Sequence, residues 1–168
     1  MAKENPLKWL EEKEDPNLWV KEPFNNFLDK HNLFHAVNRT FWQSWKDINE
    51  IAPKFFSFNE VDKQKNKKEL SVDWSKYATP EFTFQCHNSD LKKIGIMEIR
   101  IAELKKCIEK NNFPIIIEHD PIKEISKNNK FLNKAHSIIY GLTITNYTKI
   151  RVEISEISRW SEGYQPIK

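Results

Sequence analysis

A chain of 168 residues has the length of one domain and is long enough to bury a core of its own. Its apolar share of 39%, with six Trp and eleven Phe, excludes a chain disordered throughout. The 27 basic and 24 acidic side chains leave only +3, which by itself gives no footprint for nucleic acid.

No apolar run approaches the ~20 residues of a membrane span. The first residues hold no apolar signal region, so a cytoplasmic location is expected. Three Gly, and no GxGxxG or GxxxxGK(S/T), exclude a glycine-rich phosphate loop. Cys86 and Cys107 lack paired metal spacing and read as reduced thiols. Neither a cofactor nor a metal is expected.

Residues 1–23 read as an extension, broken by Pro6, Pro16 and Pro23 and carrying Trp9, Leu10, Leu18, Trp19 and Val20 among charged residues. The pattern predicts a short helix over 7–13 and a tail whose tryptophans pack on the parent domain. The competing reading makes Trp9 and Trp19 anchors for a protein partner. Packing carries more weight, because two tryptophans are rarely left in water.

Phe24, Phe27 and Leu28 predict a short helix over 24–30. Residues 33–42 lean to strand followed by a loop or helical turn, and 54–58 read as a strand after Pro53. The basic stretch 62–68 lacks interleaved aromatics or Arg and reads as a solvated loop. A strand follows at 70–74. Thr79-Pro80-Glu81 supplies an N-cap, a first-position proline and a first-turn acid, predicting a helix over 80–87 against the strand-like alternation of 82–86. Residues 97–101 alternate as a strand and lead into a helix over 102–110, stopped by Asn111-Asn112. The most apolar run forms a strand at 114–118, with Ile116 taken as core. A strand over 136–145 precedes a helix over 147–161, with Ile150, Ile154, Ile157 and Ser161 on one stripe. This order predicts an α+β fold. The single compact domain spans 24–168, with a mixed β-sheet and helices mainly on one face. Residues 97–118 would form a right-handed βαβ crossover if their strands pair in parallel.

Arg39-Thr40-Phe41-Trp42, Leu70-Ser71-Val72-Asp73, Thr79-Pro80-Glu81, Asp120-Pro121 and Asn133-x-Ala135-His136 follow one another in an order that resembles a family of small uncharacterised bacterial proteins. The likeness covers about 33–160. It implies a self-contained domain in a bacterial or archaeal cytoplasm, and it transfers no catalytic residue.

Glu118, His119, Asp120 and His136 sit at the ends of two predicted strands. A carboxylate beside a histidine fixes its tautomer and favours its protonated form, so His119, Asp120 and His136 are the candidates for general acid–base work. With Glu118 they are also donors that suit zinc or manganese. The structural alternatives are an Asp-Pro turn and a core histidine, and they weigh more. Two-histidine phosphodiesterases require His-x-Ser/Thr twice, which neither histidine satisfies. Arg39, the strand residue Ser71 and a late Glu153 or Glu156 are similar in order to ADP-ribosyltransferases, but both glutamates fall on a predicted helix. The sequence therefore favours a non-catalytic binding or assembly module acting with a protein partner through the N-terminal segment. Trp9, Trp19, Arg39 and Trp42 are its candidate binding residues. The alternative is a small enzyme acting on a nucleotide or nucleic acid, ADP-ribosyltransferase-like or metal-dependent, with its site at 119–136.

Overall fold

The computed structural model describes residues 5–56, 59–62, 67–127, 129–143 and 145–168. In chain order the helices are α1 (Lys8–Glu11), α2 (Arg39–Trp42), α3 (Pro80–His87), α4 (Ile101–Asn111) and α5 (Tyr147–Glu156). The strands are β1 (Asn32–Asn38), β2 (Asn59–Asp62), β3 (Lys67–Trp74), β4 (Ile94–Arg100), β5 (Ile116–His119), β6 (His136–Leu142) and β7 (Ser158–Trp160). They form one α+β domain around a sheet of order β5-β6-β3-β1-β4-β7, with β2 paired to β3 off that path.

Among the described residues every pairing is antiparallel, which corrects the expected mixed sheet. The parallel crossover at 97–118 fails because β1, β3 and β6 lie between β4 and β5; α4 carries the chain to the far edge instead. Residues 54–58 are not a strand as far as they are described. Pro53–Phe55 form a 3-10 turn that drives Phe55 and Phe56 into the core, and residues 57–58 lie outside the described residues. Most of the basic stretch, 63–66, also lies outside them. The last helix ends at Glu156, and Ser158–Trp160 pair with β4 as an edge strand, so Ser161 leaves the helical stripe. Residues 24–30 reduce to a 3-10 turn at Phe24–Asn26.

Alternation gives the sheet two faces. Leu33 and Val37 of β1, Leu70, Val72 and Trp74 of β3, Met97 and Ile99 of β4, and Ile117 and Ile139 share one face. Ile101 and Leu104 of α4, Ile150 and Ile154 of α5, Trp42, Phe55 and Phe27 complete that core. Ile116 points the other way and is 47% exposed. The opposite face carries α3, whose N-cap Thr79 accepts a hydrogen bond from Phe82 N. There Trp9 and Trp19, each 4% exposed, join Ala78, Phe82 and Ala135 in a second, smaller core. The two tryptophan rings meet edge to face at 5.2 Å, and Trp9 Nε1 donates to Tyr77 O at 3.0 Å. The arm then passes the outer edge of β5, where Glu22 N donates to His119 Nδ1 at 3.0 Å and Lys21 meets Glu118 and Asp120. Covering an edge strand in this way blocks edge-to-edge pairing.

Candidate functional site

The structure separates the residues that the sequence grouped at 118–136. His119 pairs with Ser137 across β5 and β6, so its side chain lies on the opposite face from His136. It is 1% exposed, accepts from Glu22 N, donates through Nε2 to Lys134 O at 2.6 Å, and stacks on Tyr77 at 5.7 Å. Burial pushes its imidazole below the ordinary range. It is a neutral staple between the arm and β5. Glu118 and Asp120 both take the exposed Lys21 ammonium, at 2.9 and 2.8 Å. His136 donates through Nδ1 to the backbone carbonyl of Asp120, not to its carboxylate, at 2.7 Å. Trp42, 1% exposed, belongs to the main core, and Trp9 and Trp19 to the second. Arg39 is exposed at the start of α2 and lines none of the clefts described below. Of the expected set, only His136 faces an internal cleft.

That cleft opens between α3, the connection 121–135 and the sheet, with a volume of about 580 Å³. Its size lies within the ~300–1,000 Å³ of ligand sites. Asp73 forms its floor. On β3, Leu70, Val72 and Trp74 turn to the main core, so Ser71 and Asp73 turn to the cleft. Thr83 and His87, four residues apart on α3, reach down from above with Cys86 beside them. Asn133 comes from the connection, which is pinned at its base by paired backbone bonds between Ile122 and Asn133 at 2.9 and 3.0 Å.

The Asp73 carboxylate is held on both oxygens. Thr83 Oγ1 donates to Oδ2 and Asn133 Nδ2 to Oδ1, each at 2.7 Å. Asn133 Oδ1 accepts from Ala135 N at 2.9 Å, which fixes the amide's orientation. Asp73 is 5% exposed, yet among the described residues no cation pairs with it. Burial, reinforced by the Asp73 charge, pushes the Cys86 thiol up to about 12, so it is no thiolate nucleophile at neutral pH. Desolvation within the cleft lowers His87, an exposed residue, despite the opposing pull of Asp73.

The cleft continues into the sheet itself. β1 and β3 pair only at Leu33↔Trp74 and Phe34↔Asp73, and β2 takes the far end of β3. In the gap between, His35 places Nδ1 3.1 Å from Ser71 O and Nε2 3.3 Å from Phe55 O. Burial lowers its pKa to about 4 although both carbonyls favour the charged ring. At the outer lip, His136 Nε2 lies 3.5 Å from Ser71 Oγ. A shallower groove extends from there past Glu69, Asp120, Glu124, Lys123 and the arm residue Asn17.

Sequence reasoning missed Asp73, Thr83, His87 and His35. Two signals were present: Ser71 and Asp73 alternate against an apolar face, and Thr83-x-x-Cys86-His87 follows helical spacing. Phe41, Ser71, Asp73, Asn133 and His136 line the cleft, and Asp120-Pro121 line its outer groove. No group of three or more His, Cys, Asp or Glu among the described residues is arranged to hold a metal ion. No helix among them is long and apolar enough to cross a membrane. No protein family, curated protein or solved structure matches the chain.

Proposed function

We propose that this protein is a non-catalytic binding module and that the cleft over Asp73 is where it recognises its partner. One observation carries the reading: a carboxylate is buried on the floor of an open-mouthed cleft, fixed by two neutral donors and, among the described residues, left without a counter-charge. Burying such a group costs several kcal/mol unless it is compensated. A site that a ligand completes accounts for that cost. A protein partner seated over the outer groove would also meet the arm at Asn17, so the arm would contribute through this turn and not through its tryptophans. A fragment titration followed by backbone amide shifts tests the reading. Shifts should cluster at Asp73, Thr83, Asn133 and His136, and a response confined to other surfaces would contradict it.

A second reading, a small enzyme, rests on Ser71 and His136. With Nδ1–H given to the Asp120 carbonyl, Nε2 faces the Ser71 hydroxyl as an acceptor, which is the tautomer a general base needs. Cross-strand neighbours on any sheet also meet in this way, which is why the reading stands second. The Asp73 charge disfavours a nucleotide or nucleic-acid phosphate as its substrate. Intact-mass labelling with a fluorophosphonate checks it: an adduct lost in Ser71→Ala supports the enzyme, and an unmodified chain retires it.

A further inference from the structure

We propose that the cleft takes a cationic nitrogen group, an alkylammonium or a guanidinium, with its N–H bonds ending on the Asp73 carboxylate. This deepens, and rests on, the reading of the cleft as the recognition site. Glu22 and Glu98 have side chains only 12% and 11% exposed, and each meets a cation, Lys76 and Arg159, at 2.6 Å. Asp73 is as buried, and among the described residues its carboxylate meets only Thr83 and Asn133. A carboxylate offers about four acceptor positions, so each oxygen keeps about one free. That leaves room for one ammonium or for the two-pronged face of a guanidinium.

The walls suit the rest of such a ligand. Phe34, Phe131 and Ile122 line the cleft and would cover a carbon stem. His87 makes no hydrogen bond among the described residues, and its ring meets Phe131 edge to face at 6.4 Å. The residue is exposed, but the desolvation of its ring within the cleft favours the neutral form, which leaves a nitrogen able to accept from a ligand N–H. The approach is acidic on a chain whose net charge is +3. The outer groove presents Glu69, Asp120 and Glu124 against Lys123, although Asp120 is shared with Lys21. Among the described residues, Lys130 is the one formally cationic side chain in the inner lining, and no ion pair joins it to Asp73. A potential of this sign steers cations inward.

The group can come from a free amine or from a Lys or Arg side chain of a protein partner, and calorimetry on the full chain separates the two sources. The probes are phenethylamine, its neutral isostere phenethyl alcohol, agmatine, and a short unstructured peptide carrying one Lys or Arg. The amines should bind about tenfold or more tightly than the neutral isostere, the factor expected of one charge-assisted hydrogen bond. Asp73→Asn should erase that preference. If Asp73→Asn misfolds, the amine-to-alcohol ratio on the wild-type chain decides alone. Free amines binding as well as the peptide would assign a small-molecule ligand, and a peptide at least tenfold tighter would assign a partner side chain. Equal binding of amine and alcohol at the cleft overturns the cationic assignment while the recognition site stands. No binding by any probe, with amide shifts absent around Asp73, overturns both.

Discussion

His35 is held in the gap between β1 and β3 by effects that oppose each other. Two carbonyls face its nitrogens, but a neutral ring has one N–H and satisfies one of them; burial nonetheless keeps it neutral, with a pKa of about 4. The folded pKa lies below the unfolded one, so the unfolded chain binds more protons and stability rises with pH. His35 therefore contributes fully above the ordinary histidine value of 6.5 and loses that contribution as pH falls toward 4, at most about 3 kcal/mol. Desolvation also lowers His31, His87 and His119, which adds in the same direction. Urea midpoints measured between pH 7 and 4.5 should fall steadily, and His35→Phe should flatten the slope whatever it does to stability at pH 7. The same scale holds Thr83, whose hydroxyl is the only group among the described residues that meets Asp73 Oδ2. Thr83→Val should cost ~1–3 kcal/mol, the price of an unmet buried acceptor, and denaturation at pH 7 checks it. Sequence exposed these residues unevenly. A histidine in a β-leaning run says nothing of a gap beside it, because the gap exists only once β2 and β1 divide the same edge of β3.

Among the elements, the N-terminal arm contributes more than its proline-broken sequence suggests. Trp9 and Trp19 close the second core over Phe82 and Ala135. Glu22 ties the arm to Lys76, Tyr77 and Asn26. Burial works to raise the Glu22 pKa, and these hydrogen bonds outweigh it, holding the carboxyl below the usual range. Trp9→Ala should cost ~3–5 kcal/mol in urea denaturation, the cost of emptying a buried aromatic site. The strand β5 teaches a different lesson. Pro114 to Ile117 is apolar without alternation, so nothing in the run tells which isoleucine faces inward. The register with β6 places Ile117 in the core and Ile116 outside. Ile117→Ala should cost ~2–5 kcal/mol by denaturation, and Ile116→Ala less than about 1 kcal/mol. Helix α3 was legible because its start carries its own chemistry in Thr79-Pro80-Glu81. The end of α5 was not. Its apolar stripe runs on in sequence, but Trp160 is claimed by pairing with Met97 and by a bond from its Nε1 to Ile48 O.

At the scale of the molecule, the α+β class followed from the changes of period along the chain, whereas the all-antiparallel order did not. Strand pairing between distant segments depends on which faces meet, and no local pattern encodes that. The candidate site suffered most from this. His119 and His136 sit at the ends of two strands joined by a single connection, yet parity places them on opposite faces; Asp73, Thr83 and Asn133, separated by up to 60 positions, meet at 2.7 Å. The cleft they form lies where the second face is only half covered, between α3 and the connection 121–135. A crystal structure of the chain with the tightest-binding amine tests this account most directly. The account predicts ligand density in the cleft, with a nitrogen within about 3 Å of the Asp73 carboxylate, the length of a charge-assisted hydrogen bond. Density seated instead on the apolar groove between Phe24 and Ile116, with the Asp73 cleft filled by its own side chains, would contradict it.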